Sequence, residues 1–306
     1  VSDEQAEIAL TWVEDDAGRR TPYPPFVDQA AVDALLAGLE LRPTDVFVAS
    51  YPKSGTTWLQ QICHLLARGG VQGEEAVVDT VPWIEAHTLA EKPDLAALEA
   101  WPGRRWMQIH APWSLAPKGA GARYIYVARN PRDVAVSFFH HQRAKQHDPA
   151  YTGDFAHFVA EFLAGRVPFG SWFDHVLGWW QRSRARDDVL FVRYEDMVRD
   201  LGRELDRIAA FVEVELGAEL RAAIVEQSSF AHMKRLGIGE PKGAFRSRAG
   251  ESAHLRKGKV GDWVNYFDAA QLADLDAHYR ERLADTGLEF DFELLEEEAE
   301  EAGRRA

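Results

Sequence analysis

A single cysteine, Cys63, stands in a chain of 306 residues. An internal disulfide framework and a Cys-rich zinc site are both excluded. No apolar run approaches the ~18–20 residues needed to cross a bilayer, so no transmembrane span is expected. Cations are in the minority: Lys plus Arg number 35 against 49 Asp plus Glu, a net charge of −14. That balance argues against a generic nucleic-acid binder and against a protein held on anionic membrane by overall charge. It leaves room for a small anionic ligand in a locally basic site. Internal repeats, low-complexity tracts and Pro/Gly/Ser linkers are lacking too. The chain is therefore read as one domain over 1–306, with a core at about 20–290. Residues 1–10 are acidic and unlike a signal peptide, which predicts a cytoplasmic location.

What is present is an alternation. Asp45–Ser50 (DVFVAS) is a short β-branched run, followed by the breaker cluster Tyr51–Gly55. Thr56–Arg68 then carries Trp58, Leu59, Ile62, Leu65 and Leu66 on one helical face. Further strands are predicted at Trp106–His110, Arg123–Ala128 and Asp188–Arg193, and helices at Asp133–Lys145 and Leu201–Val212. Strands alternating with helices imply an α/β domain with a central, mostly parallel sheet flanked by helices. In such sheets ligands sit beyond the carboxyl ends of the strands. Lys53, His110, Arg129 and Tyr194 all fall just past predicted strand ends. Two segments depart from the pattern. Lys234–Lys259 has eight basic and two acidic residues, reading as a mobile loop that faces an anion; 289–306 is an acidic tail.

The strongest local signal is Tyr51-Pro52-Lys53-Ser54-Gly55-Thr56-Thr57-Trp58. A Gly-containing turn from strand into helix aims main-chain N–H groups and the positive helix end at an anion. Lys53 adds a full charge, and Ser54, Thr56 and Thr57 add hydroxyls. Trp58 offers a flat surface to a base. The turn lacks the upstream glycine and the lysine order of a Walker A loop, which disfavours an Mg-dependent NTPase.

Tyr51–Leu59 (YPKSGTTWL) resembles the 5′-phosphosulfate loop of the cytosolic-type sulfotransferases, which use 3′-phosphoadenosine 5′-phosphosulfate (PAPS). Tyr126–Ser137 (YVARNPRDVAVS) resembles their 3′-phosphate-binding strand and helix. Arg256–Trp263 (RKGKVGDW) is similar to their C-terminal nucleotide loop. The three stand in the family's order, and Val167–Val176 and Tyr194–Met197 are similar as well. The chemistry agrees. Arg129 and Arg256 suit a terminal phosphate through paired hydrogen bonds, helped by Lys257 and the N–H of Gly258.

The resemblance implies a sulfuryl transfer from PAPS to the hydroxyl or amine of a small acceptor, leaving 3′,5′-adenosine bisphosphate (PAP). It implies His110 as general base, Lys53 on the bridging oxygen, and Ser137 restraining Lys53 until an acceptor arrives. It places Tyr194, Ser228, Phe230 and Met233 beside the adenosine. It assigns Tyr23, Phe26, Trp83, Trp113, Phe138 and Phe139 to the acceptor side, an aromatic lining that favours a phenol or hydrophobic alcohol, and Gln108, His141 and His147 are read as further walls of that pocket. Gln108 departs from the family, which usually has a lysine there. No metal is called for, since His140, His141 and His147 lack ligand spacing. The family's dimer motif is also missing: Val264, Asp268, Ala269 and Ala273 take its places, so a monomer or a different dimer is expected. A peptide or glycan sulfotransferase, a P-loop small-molecule kinase and a non-catalytic nucleotide binder are the alternatives.

Overall fold

The computed structural model describes residues 7–73, 75–89, 93–119, 121–144, 150–238, 260–290 and 292. A two-stranded antiparallel hairpin, β1 (Thr11–Glu14) and β2 (Arg20–Tyr23), precedes a four-stranded sheet. The sheet is made of β3 (Val46–Ser50), β4 (Trp106–Ile109), β5 (Arg123–Ala128) and β6 (Val189–Arg193). All its pairings are parallel, in the order β4-β3-β5-β6. The hairpin is not announced by the sequence, because its strands are four residues long and Pro22 cannot donate to a ladder.

Side-chain alternation divides the core into two layers. Val46 and Val48 of β3, and Ile125 and Val127 of β5, meet Leu59, Ile62 and Leu66 of the helix Thr56–Ala67. Phe47 and Ala49, with Tyr124 and Tyr126, meet Trp172 and Trp179 of the helix Trp172–Ala185 on the other face. Strands covered on both faces read as continuous apolar runs, and β3 is buried at every residue.

At the amino edge of the sheet a buried ion pair closes the layer. Arg105 is 1% exposed and meets Asp45 through two nitrogens, at 2.9 and 2.6 Å. Its remaining donors reach the Glu40 carbonyl at 2.6 Å and Glu99 at 3.1 Å. β3 begins at Val46 rather than Asp45 because the Asp45 N–H turns back to the Arg42 carbonyl at 3.0 Å.

The predicted helix at 133–145 runs over Pro131–Ala144, starting earlier because Asn130 caps it: the Asp133 N–H donates to Asn130 Oδ1 at 2.9 Å. Proline is favourable in a first helical turn. His147, Arg256, Lys257 and Gly258 lie outside the described residues, as do most of the basic loop and the acidic tail.

Candidate active site

Beyond the carboxyl end of β3 the chain turns through Tyr51–Gly55 into the helix Thr56–Ala67. The turn is sharp enough to place Lys53 in the left-handed region (φ 68°) and Gly55 at φ 104°. A left-handed L-residue costs roughly 1–2 kcal/mol, and glycine avoids that cost. Gly55 is fixed for a second reason: a Cβ there would lie 2.6 Å from the Tyr194 ring. The Ser54 hydroxyl is buried and has no hydrogen-bond partner among the described residues. Thr56 differs, since its hydroxyl pairs with Ser50 Oγ at 2.6 Å. Thr57 follows it in the first turn, half-buried.

The residues expected beside adenosine come together around this helix. The Trp58 indole donates to the Ser228 carbonyl at 2.8 Å, and its ring meets Tyr194 edge-on at 5.3 Å. Met233 packs with Trp58, Val77 and Ile238. Phe230 starts the short helix that carries Met233 and is half-buried. Ser228 Oγ is buried and without a partner among the described residues.

Arg129, one residue past β5, lies 4.5 Å over the Tyr194 ring and meets Asp133 at 3.2 Å. The Asp133 carboxylate also accepts from Gly261 N–H at 3.0 Å. The chain three residues after Gly258 is thereby tied to the helix that holds Arg129. Ser137 lies on the same helix, half-buried. The groups fit a nucleotide with phosphates at both ends: two orphaned buried hydroxyls, a strained cationic turn at a helix start, and a buried guanidinium on an aromatic face.

His110 stands at the end of β4, with both its ring and its main chain fixed. Nδ1 donates to the Ser50 carbonyl at 2.9 Å, which leaves the lone pair on Nε2. The main-chain N–H donates to Glu85 Oε2. The main-chain carbonyl accepts from His175 Nε2 at 2.8 Å, and the His175 ring accepts in turn from Tyr126 OH at 2.8 Å. Burial pushes the His110 pKa down to about 4, and the Lys53 charge acts in the same direction. The ring is thus neutral near pH 7 and able to accept a proton. His175, also buried, is pushed down to about 3.

An aromatic enclosure surrounds the His110 ring. Trp83 lies 5.7 Å from the His110 ring and Phe26 5.7 Å from Trp83. Phe169 lies 5.2 Å from His110, with Tyr23 4.8 Å from Phe169. Phe138 is one layer further in, 6.0 Å from Tyr51, with His141 6.3 Å from it on the same helix. Trp113 is not brought to this enclosure. It packs on Tyr124 at 5.5 Å and Trp179 at 5.1 Å, with Arg182 over its ring at 4.6 Å. Tyr124 is near the amino end of β5, so Trp113 covers the opposite half of the sheet from His110. Its nearness to His110 in sequence does not survive the turn at Pro112.

Gln108 is buried, and its Nε2 has no partner among the described residues. Being two residues on from Trp106, it faces the layer of the helix Thr56–Ala67. Several contributors were not marked from the sequence: Ser50, Glu85, Phe169 and His175. A polar Ser50 closing an apolar strand and an acid inside the apolar run Val81–Ala86 were the available signals. Phe169 had a weaker one, a large residue before Gly170 that the turn holds at φ 70°.

Residues 43–287 match the family described as "Sulfotransferase domain". Over 265 residues the chain is 34% identical to Sulfotransferase 1E1 of Mus musculus, covering 83% of this chain and 88% of that protein. Over 272 residues it is 36% identical to the amine sulfotransferase of Oryctolagus cuniculus, covering 86% and 88%. Its fold matches the crystal structure of mouse sulfotransferase SULT7A1 complexed with PAP at a TM-score of 0.73 and 30% identity, over 94% of this chain and 99% of that one. The chain belongs to the sulfotransferase family. It is an enzyme of PAPS-dependent sulfuryl transfer to small-molecule acceptors, and neither the kinase nor the peptide or glycan alternative is favoured.

Proposed function

We propose that the protein sulfates a phenol or a hydrophobic alcohol, with His110 as the base. The observation that carries this reading is the His110 ring: neutral, tied through Nδ1 to Ser50, and enclosed by Trp83 and Phe169 within reach of the Lys53 charge. Nε2 takes the proton of the acceptor hydroxyl as its oxygen bonds to sulfur. The bond from sulfur to the bridging phosphate oxygen breaks, and PAP leaves with that oxygen. Lys53 stabilises the charge that develops there. Like phosphoryl transfer, this is an in-line displacement in which the protein mainly positions and neutralises. Ser137 restrains Lys53 between turnovers.

The nucleotide is held by the Ser54–Thr57 turn and Trp58 at the 5′ side, and by Tyr194, Ser228, Phe230 and Met233 around the adenosine. Arg129, with Arg256, Lys257 and Gly258, takes the 3′-phosphate. The buried Gln108 amide donates a hydrogen bond to the sulfuryl group where the family has a charge. Tyr23, Phe26 and Phe138, with His141 and His147, complete the acceptor side. One domain spans the chain with its core at about 20–290, acting in the cytoplasm as a monomer or as a dimer of another kind than the family's usual one.

Calorimetric titration of PAP without Mg²⁺, beside AMP and ATP, tests the donor site. PAP is expected to bind at least about tenfold more tightly than AMP, an advantage that Arg129→Ala removes, because a charge-assisted hydrogen bond is worth about 1.5–3 kcal/mol. Equal affinities for PAP and AMP would overturn the nucleotide assignment, and selective Mg-dependent ATP binding would restore the kinase. A panel of phenols and alcohols with PAPS then tests the acceptor class.

A further inference from the structure

Among the described residues β4 is an edge strand, so one row of its main-chain groups lacks a neighbouring strand. The segment before it fills the gap in part. Trp83 pairs with Gln108 in an isolated parallel bridge, and Gln108 N–H donates to the Pro82 carbonyl at 2.8 Å. The next donor along the edge is the N–H of His110. A fifth strand would offer it a main-chain carbonyl, but the segment curls into a 3-10 turn at Ile84–Ala86. The Glu85 carboxylate stands in: Oε2 accepts from His110 N–H, and the same oxygen accepts from the Trp83 indole at 2.8 Å. Glu85 is 2% exposed, and the Tyr23 hydroxyl faces it. One buried acid thus joins the main chain of the base to a wall of the acceptor enclosure.

We propose that Glu85 is a positioning residue for the transfer, setting the Trp83 wall at a fixed distance from the His110 ring so that a bound acceptor hydroxyl meets Nε2. The inference rests on the reading of His110 as the base. A carboxylate suits the task because one oxygen can take two donors that arrive from different directions. Burial pushes the Glu85 pKa up to about 7, and the His110 and Trp83 donors pull against that rise. Its worth to turnover lies in geometry: a displacement of about 1 Å between reacting groups can cost roughly 100-fold in rate.

The test uses PAPS and the acceptor that the wild-type chain sulfates fastest in a panel of phenols and alcohols headed by 2-naphthol. Glu85→Ala, Glu85→Gln and His110→Ala are compared for acceptor kcat and KM and for PAP affinity. Glu85→Ala is expected to lose about 10–100-fold in acceptor kcat/KM, with PAP affinity within about twofold of wild type. Glu85→Gln keeps an oxygen that can take both donors and is expected to stay within about fivefold of wild type. Should Glu85→Ala fail to fold, Trp83→Phe removes the indole donor, keeps an aromatic wall, and is expected to lose about 5–10-fold. Wild-type turnover in Glu85→Ala (or in Trp83→Phe as its substitute), with His110→Ala inactive, overturns the inference and leaves the base in place. A fall in PAP affinity parallel to kcat/KM overturns it in favour of a purely structural role. Full activity in His110→Ala, or a wild-type chain inert toward the whole panel, overturns the reading beneath it and the inference with it.

Discussion

The two edges of the central sheet bury polar groups in opposite ways. At the amino edge Arg105 is enclosed with a partner for each side of its guanidinium, from Asp45, Glu99 and main-chain carbonyls. At the carboxyl edge Ser54 Oγ, Ser228 Oγ and Gln108 Nε2 are buried without a partner among the described residues. An unsatisfied buried polar group costs about 1–3 kcal/mol. The first edge spends its buried charge on a closed structural joint. The second retains buried hydroxyl and amide groups that no described residue satisfies, which leaves them open to a bound molecule.

Substitutions at the two edges should therefore fail differently. The largest effect is expected from His110→Ala: kcat falls about 10²–10⁴-fold while PAP affinity and the unfolding midpoint stay near wild type. Asp45→Ala does the reverse. It strands the Arg105 charge, destabilising the fold by roughly 3–5 kcal/mol in denaturant titration, with normal PAP affinity for the molecules that remain folded. A kcat loss without destabilisation in Asp45→Ala would break the comparison. Ser54→Ala sharpens it: stability is unchanged or slightly raised, while PAP affinity measured by calorimetry drops about tenfold. The smallest expected effect is that of pH. His110 must be neutral to accept a proton, and its folded pKa of about 4 is below the ordinary value of 6.5. With an alcohol acceptor, kcat/KM should change less than about twofold between pH 5.5 and 7, because the loss of base on acidification waits until about pH 4. A limb near 6.5 would mean that the His110 ring is solvated.

Legibility followed the range of the interactions. β3, the turn after it and the helix Thr56–Ala67 were readable because apolar runs, breakers and helical spacing are local signals. Lys53, Arg129 and Tyr194 were legible as polar chemistry just past strand ends, whereas Ser228 was marked only by the family resemblance, and the structure brings its carbonyl to the Trp58 indole. The hairpin β1–β2 was not, since Pro22 masks a strand whose partner is supplied by β1. Trp113 shows the converse error: three residues from His110, it leaves through Pro112 to cover Tyr124 and Trp179. Phe169, 59 residues from His110, takes a place beside it.

By itself the sequence determined a doubly covered parallel sheet, a cationic glycine-containing turn from strand into helix, and which residue types stand at the carboxyl ends of the strands. Periodicity and turn chemistry act over a few residues, and each stretch carries them whatever surrounds it. Only the tertiary structure decided which lone pair His110 presents, that Glu85 meets the edge of β4, and which aromatics enclose the His110 ring. Those depend on groups dozens of residues apart meeting in a water-poor interior, where burial lowers the His110 pKa and the 3-10 turn at Ile84–Ala86 gives a carboxylate its place beside β4.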